Sequence, residues 1–237
     1  MTRVAISQSN YIPWRGWFDM VRRADHFVLY EDVQYTRRDW RNRNRIKGHD
    51  GPFWLTIPVE LGDRNEQMLR DTRVANNRWR AKHWNSIVHT YRKAPGFDRF
   101  ETELKSLYLD NDDVMLSHIN ERFIRWTCGV LGIQTPITRS CDYDLVDGPT
   151  ARLADLCTQL KATTYLSGPA AKDYIDMDRF ADAGVEVEWM QYEGYPPYPQ
   201  QGTPFEPGVS ILDLLLNTGD DAREYMERRE PTCNSPS

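Results

Sequence analysis

The stretch RVAISQSNYIPWRGWFDMVRRADHFVLYEDV, residues 3 to 33, decides the fold. Two short apolar runs, RVAIS and HFVLYEDV, flank a polar and aromatic loop and an amphipathic segment. In that segment, GWFDMVRRA, Phe18, Val21 and Arg22 fall on adjacent helical turns. Strand, loop, short helix and strand make a βαβ unit, which implies a parallel sheet reached through a crossover.

Beyond this unit, NRIK, GHDG and PFWLTIPVEL predict a hairpin with a glycine-bounded turn, and Pro52 and Pro58 suit an edge position. From Asn76 to Ile133 the apolar spacing is helical: Trp84, Ile87, Val88 and Tyr91, then Phe97, Phe100, Leu104 and Leu107, then Ile119, Phe123 and Trp126. The βα pattern then returns. ITRSCDY reads as a strand, Thr150 as the cap of a helix through Leu160, TTYLS as a strand, GPAAKDYID as a loop and VEVEWMQY as a half-buried strand. SILDLLLNTG closes the series as a helix, with Ser210 at its start, Asp213 three residues on and Gly219 at its stop. The predicted fold is α/β: a Rossmann-like parallel sheet built from both ends of the chain, with a mainly helical insert (75–133) and a small β-hairpin. One domain is expected over 1–230 and a disordered tail over 231–237.

Composition sets the remaining bounds. The chain has 237 residues, enough for one large domain with a sizeable core. Eight tryptophans and twelve tyrosines are many; such rings fill cores, and they also line pockets for sugars and bases. Net charge is −5, yet RRDWRNRNRIK (37–47) sets six basic residues against one acid. A local cationic face on an acidic protein suits a compact anion or a carrier-protein surface better than a long polyanion, so nucleic acid is not the expected partner. Cys128, Cys141, Cys157 and Cys233 match no zinc spacing and read as buried free thiols. No signal peptide and no run near ~18 apolar residues is present, so a cytoplasmic protein without membrane attachment is expected.

Ligands of open parallel sheets sit beyond the carboxyl ends of the strands, so three segments should converge. The first is the loop after RVAIS, with Gln8, Asn10, Tyr11 and Trp14; Pro13 stiffens its entry, and Gly16 lets the next helix begin close to a ligand. The second is DVQYTRRDWRNRN, with Asp32, Gln34, Arg38, Arg41, Arg43 and Arg45, where arginine makes bidentate contacts with phosphate or carboxylate. The third is YLSGPAAKDYID, with Ser167, Lys172 and Asp173 around a turn whose N–H groups suit an anion. The plain alternatives are a tryptophan wedge, a solvated edge strand and a capping turn. His83 sits within the helical block, where a lone histidine is more often packed than catalytic. No histidine pair has metal-ligand spacing, and no metal site is expected.

In frame and context, PWRGW resembles the HIGH motif of nucleotidylyltransferases and class I aminoacyl-tRNA synthetases, with Trp14 and Trp17 where that motif has histidines. The likeness supports the fold and weakens a case for adenylyl transfer. QSNYIPWRGWFDMV, DHFVLYEDVQYTRRDWRNRNRIK, WLTIPV, TYLSGPAAKDYID and SILDLLLNTG, taken together, resemble the signature blocks of the WbqC-like protein family over nearly the whole chain. The resemblance implies a cytoplasmic enzyme of surface-polysaccharide or other specialised biosynthesis, and fixes no reaction.

The leading expectation is a transferase that moves an acyl or aminoacyl group to an amino-sugar or similar acceptor. Gln8, Asn10 and Tyr11 would position the acceptor and Trp14 would stack on a ring. The four arginines would hold a phosphate, with Gln34, Ser167 and Lys172 also binding substrate. Asp32, Asp173 or His83 would be the base. No cofactor is fixed; a carrier protein's phosphopantetheine arm and ATP are the candidates. An ATP-dependent ligase acting through an acyl-adenylate is the alternative enzyme, and a nucleotide or RNA-binding module the alternative without catalysis.

Overall fold

The computed structural model describes residues 1–62 and 67–228. The tail expected over 231–237, with Cys233, and the last two residues of the expected domain lie outside the described residues. The opening βαβ unit forms as read: β1 (Arg3–Ser7), α1 (Arg15–Arg23) and β2 (His26–Leu29), with β1 and β2 parallel and Val4 beside His26. β2 stops at Leu29, short of the expected Val33, and its continuation turns across the sheet end. The hairpin is β3 (Arg43–Gly48) and β4 (Gly51–Thr56), an antiparallel pair standing apart as its own sheet. Three helices follow: α2 (Arg78–Tyr91), α3 (Phe97–Leu109) and α4 (Leu116–Leu131).

The chain then returns to the sheet through β5 (Ile137–Arg139), α5 (Pro149–Gln159), β6 (Thr164–Ser167), α6 (Met177–Asp182), β7 (Glu186–Trp189) and α7 (Ile211–Thr218). One helix cap differs from expectation and one is met in part. Gly148, with φ of 95°, precedes α5 as its cap, and Thr150 lies inside the first turn. Ser210 does cap α7, its hydroxyl accepting from Leu212 N, but Asp213 turns inward to other partners. GPAAKDYID is not an open loop: Pro169–Asp173 form a 3₁₀ turn.

All five sheet strands are parallel, in the order β5-β2-β1-β6-β7. The chain builds outward from β1 on one side, then crosses to build outward on the other. The reversal falls between β1 and β6, where loops leave the sheet in opposite directions and open a crevice. Side chains alternate across the sheet. Ala5, Phe27 and Leu29 meet the core shared with α1, α7 and the three inserted helices. Val4, Ile6, Val28 and Tyr30 meet α5 and α6. Burial on both faces explains why these strands read as continuous apolar runs. No helix among the described residues is long and apolar enough to cross a membrane. Cys128 and Cys157 are buried free thiols as expected, whereas Cys141 is exposed.

Two contacts tie distant parts together. Gly96, just before α3, donates its N–H to Leu216 O at 2.9 Å, and a Cβ there would sit 2.5 Å from Leu215 O. Gly96→Ala is expected to cost about 1–3 kcal/mol through overpacking, read by urea denaturation. An unchanged midpoint would mean that α3 and α7 part without penalty.

The second contact fastens the hairpin to the segment before α7. Lys47, 1% exposed, donates from Nζ to Gln200 Oε1 (3.0 Å), Gly202 O (2.9 Å) and Pro204 O (2.6 Å). Buried Asp213 accepts from Tyr91 Oη (2.6 Å), Tyr198 Oη (2.7 Å) and Gln200 Nε2 (2.6 Å). Gln200 thus bridges a buried cation and a buried carboxyl.

Candidate functional site

A cavity of about 640 Å³ opens at the reversal point, beyond the carboxyl ends of β1, β2 and β6. Gln8 and Asn10 enter it from the first loop, Asp32 and Gln34 from the second, Ser167 and Gly168 from the third. The convergence follows from the topology: three adjacent parallel strands end on one edge, so their next residues must meet there. Arg41 joins them from the segment ahead of β3. Tyr30, Tyr165, Tyr174 and Tyr192 supply apolar walls, and the start of α5, from Gly148 to Arg152, closes one side.

The polar groups are held by specific partners. The Arg41 guanidinium donates from Nη2 to Gln8 Oε1 and from Nη1 to Asp39 Oδ2 and Thr36 Oγ1. Burial pushes the Asp39 carboxyl up, but Arg41, the Trp40 N–H and Thr36 outweigh it and hold the group below its ordinary range. Arg41 is therefore a fixed element that orients the Gln8 amide toward the cavity. Asp32 is buried. Its Oδ1 accepts from Arg70 Nη1, its Oδ2 from Ser140 Oγ at 2.5 Å, and its carbonyl from Arg152 Nη1 at 2.9 Å.

Of the residues expected at the site, Gln8, Asn10, Asp32, Gln34, Arg41 and Ser167 line this cavity. The others lie elsewhere. Tyr11 is fully buried, its hydroxyl paired with His83 Nδ1 (2.9 Å) and Tyr108 Oη (2.7 Å). His83 belongs to that core cluster, edge-on to Trp79. Trp14 packs edge-on to Tyr192 at 5.0 Å and covers Gly16. Arg43 lies over the Trp54 ring at 4.0 Å; Arg45 donates to Gly208 O at 3.0 Å and faces Glu206. Arg38 is exposed on the loop before β3. Lys172 and Asp173 are exposed, with Lys172 5.6 Å from the Trp189 ring centre. Each departure has one of two physical causes: a partner elsewhere in the protein already satisfies the side chain, or the chain turns it outward.

Tyr30, Arg152, Tyr174 and Tyr192, along with the Asp32 partners Arg70 and Ser140, were not anticipated. Ser140 follows β5 directly, so extending the strand-end rule to a fourth strand would have found it. Nothing local in the sequence signals Arg70 or Tyr192.

Behind the cavity, Glu31 is 4% exposed, and burial pushes its carboxyl up to about 7. Ser9 and Arg139 pull against this, while Glu121 and Asp32 add to it. His83 moves the other way: burial lowers it to about 4, against the Thr56 carbonyl and with help from Lys82. The signs then follow. Glu31 contributes stability that is full below pH 4.5 and lost as pH rises through about 7. His83 contributes stability present above pH 6.5 and lost as pH falls through about 4. Their slopes oppose over the shared window, so Glu31→Gln should unmask one of them. Relative to the wild type, the variant is expected to gain about 3 kcal/mol between acid and mildly alkaline pH in urea denaturation. Parallel pH profiles for the two proteins would refute this.

Fold and cavity together define an α/β protein of Rossmann-like topology with a cavity at the sheet's reversal point. The chain belongs to the WbqC-like protein family, whose model matches residues 8–225. It is similar to the uncharacterized protein Rv1507c of Mycobacterium tuberculosis (strain ATCC 25618 / H37Rv), at 46% identity over 226 residues, covering 95% of this chain and 98% of that protein. No solved structure matches it.

Proposed function

We propose that the chain is a cytoplasmic biosynthetic transferase that moves an acyl or aminoacyl group onto the amine or hydroxyl of an amino-sugar-like acceptor. The observation that carries this reading is the meeting of Gln8, Asn10, Asp32 and Ser167 at one cavity walled by tyrosines. Amide and hydroxyl groups suit the hydroxyls of a sugar, and tyrosine rings suit its apolar faces. Asp32 is the one residue of the three proposed bases that reaches the cavity, which singles it out for the proton. The acceptor nitrogen attacks the acyl carbonyl, and the new C–N bond forms. The bond to the thiolate or phosphate leaving group breaks and takes its electron pair. The amine proton passes to Asp32, held in place by Arg70 and Ser140.

The topology also favours a second reading, ATP-dependent ligation through an acyl-adenylate, because nucleotides bind at such reversal points. The single-strand RNA reading loses support, since Arg41, Arg43 and Arg45 are occupied within the protein. Incubation with acyl thioesters, or with acids and ATP, plus amino-sugar acceptors should yield an amide mass. Pyrophosphate release dependent on acid and ATP would select the ligase. Neither product nor stabilisation by any acceptor would remove both.

A further inference from the structure

We propose that the loop 36–41 and the adjoining β3–β4 hairpin form the docking surface for an acidic acyl carrier protein, which presents its thioester at the cavity mouth. This deepens the transfer reading above and rests on it. Large side chains stand out here: Trp40 is 43% exposed, Trp54 43% and Phe53 38%. Trp40 closes on Trp54 with ring centres 5.4 Å apart, and Arg43 lies over Trp54. Arg37 and Arg38 are exposed beside them, and neither has an ion-pair partner among the described residues.

The loop is built rather than loose. Arg38 adopts φ of 57°, a left-handed conformation that a side chain disfavours. Arg43 Nη2 donates to Arg38 O, and Asp39 accepts from Trp40 N, Thr36 and Arg41. Strain held this way clusters at clamps and recognition loops. The loop adjoins the site, since Arg41 at its end and Gln34 two residues before its start line the cavity.

Charge and ring geometry choose the occupant. The chain is acidic overall, yet this face is cationic, so its complement is acidic. Trp54 already carries Arg43, which leaves little of its ring for an incoming base, and two unpaired arginines make a short track for a polyanion. Tryptophan and arginine are, however, the side chains that dominate protein–protein contacts. An acidic partner that also brings an activated acyl group is a carrier protein.

The test uses the full chain and three probes: a holo acyl carrier protein, an acyl-pantetheine thioester and a single-stranded RNA oligonucleotide. Carrier binding is expected, weakening as salt rises. Arg37→Glu/Trp40→Ala should weaken it at least tenfold while leaving acyl-pantetheine turnover unchanged, and Arg37→Glu alone should weaken it severalfold. Carrier binding that is absent, or indifferent to both variants, overturns the proposal, as does RNA binding lost in the variants. The two readings fail separately. Thioester turnover without carrier binding sinks the docking surface alone; carrier binding without any turnover sinks the transfer reading alone.

Discussion

Lys47→Met is expected to lower the thermal midpoint by about 6–20 °C. The substitution keeps the volume and removes the ammonium. Gln200 Oε1, Gly202 O and Pro204 O lose their shared donor. Burial already pushes the Asp213 carboxyl up, and Lys47 is among the groups that pull it back. Leaving these buried acceptors without their donor costs about 1–3 kcal/mol apiece, roughly 3–5 kcal/mol together once water reaches some of them. For a chain of this size each kcal/mol shifts the midpoint by roughly 2–4 °C. Calorimetry decides it: a variant within about 1 kcal/mol of the wild type would show that the three acceptors find other donors.

Asp32→Asn is expected to reduce turnover by about 10²–10⁴-fold with little change in KM. The amide keeps the shape of the carboxylate and an acceptor for Ser140, and gives up the one for Arg70, a half-exposed side chain that water can serve instead. What disappears is the group proposed to take the amine proton. The thermal midpoint of the variant separates a lost base from a damaged fold. Undiminished turnover with a normal midpoint would assign the proton to another group.

The sheet was legible because its strands carry their own signal. Val4, Ala5 and Ile6 are apolar on both faces, and the segment to Arg23 has helical spacing, so the βαβ unit needs no distant information. The site's position was legible for the same reason: the ends of parallel strands must share an edge. The hairpin arginines show where this fails. Arg43 and Arg45 read as phosphate ligands beside Arg41, but Trp54, Glu206 and Gly208 engage them. Glu206 and Gly208 lie about 160 positions away, beyond any local pattern. Tyr11 shows the same limit. Its hydroxyl looked destined for a ligand until α2 and α3 supplied His83 and Tyr108. Residue type shows that a polar group needs a partner; only the tertiary fold shows whether the protein provides one.

The place of β1 at the centre of the sheet has a consequence for synthesis. β1 pairs with β2 almost at once, but its other neighbour is β6, and Arg3 must wait for Thr164. At about 5–20 residues per second, one edge of β1 stays open on the nascent chain for roughly 10–30 s. An unpaired apolar strand edge is a template for wrong partners over that interval. The cavity needs the same two strands, so no ligand can rescue an early intermediate. Ligand rescue and chaperone dependence should therefore act at different moments in the life of this chain: protection of the open edge first, stabilisation by substrate only after β6 has docked.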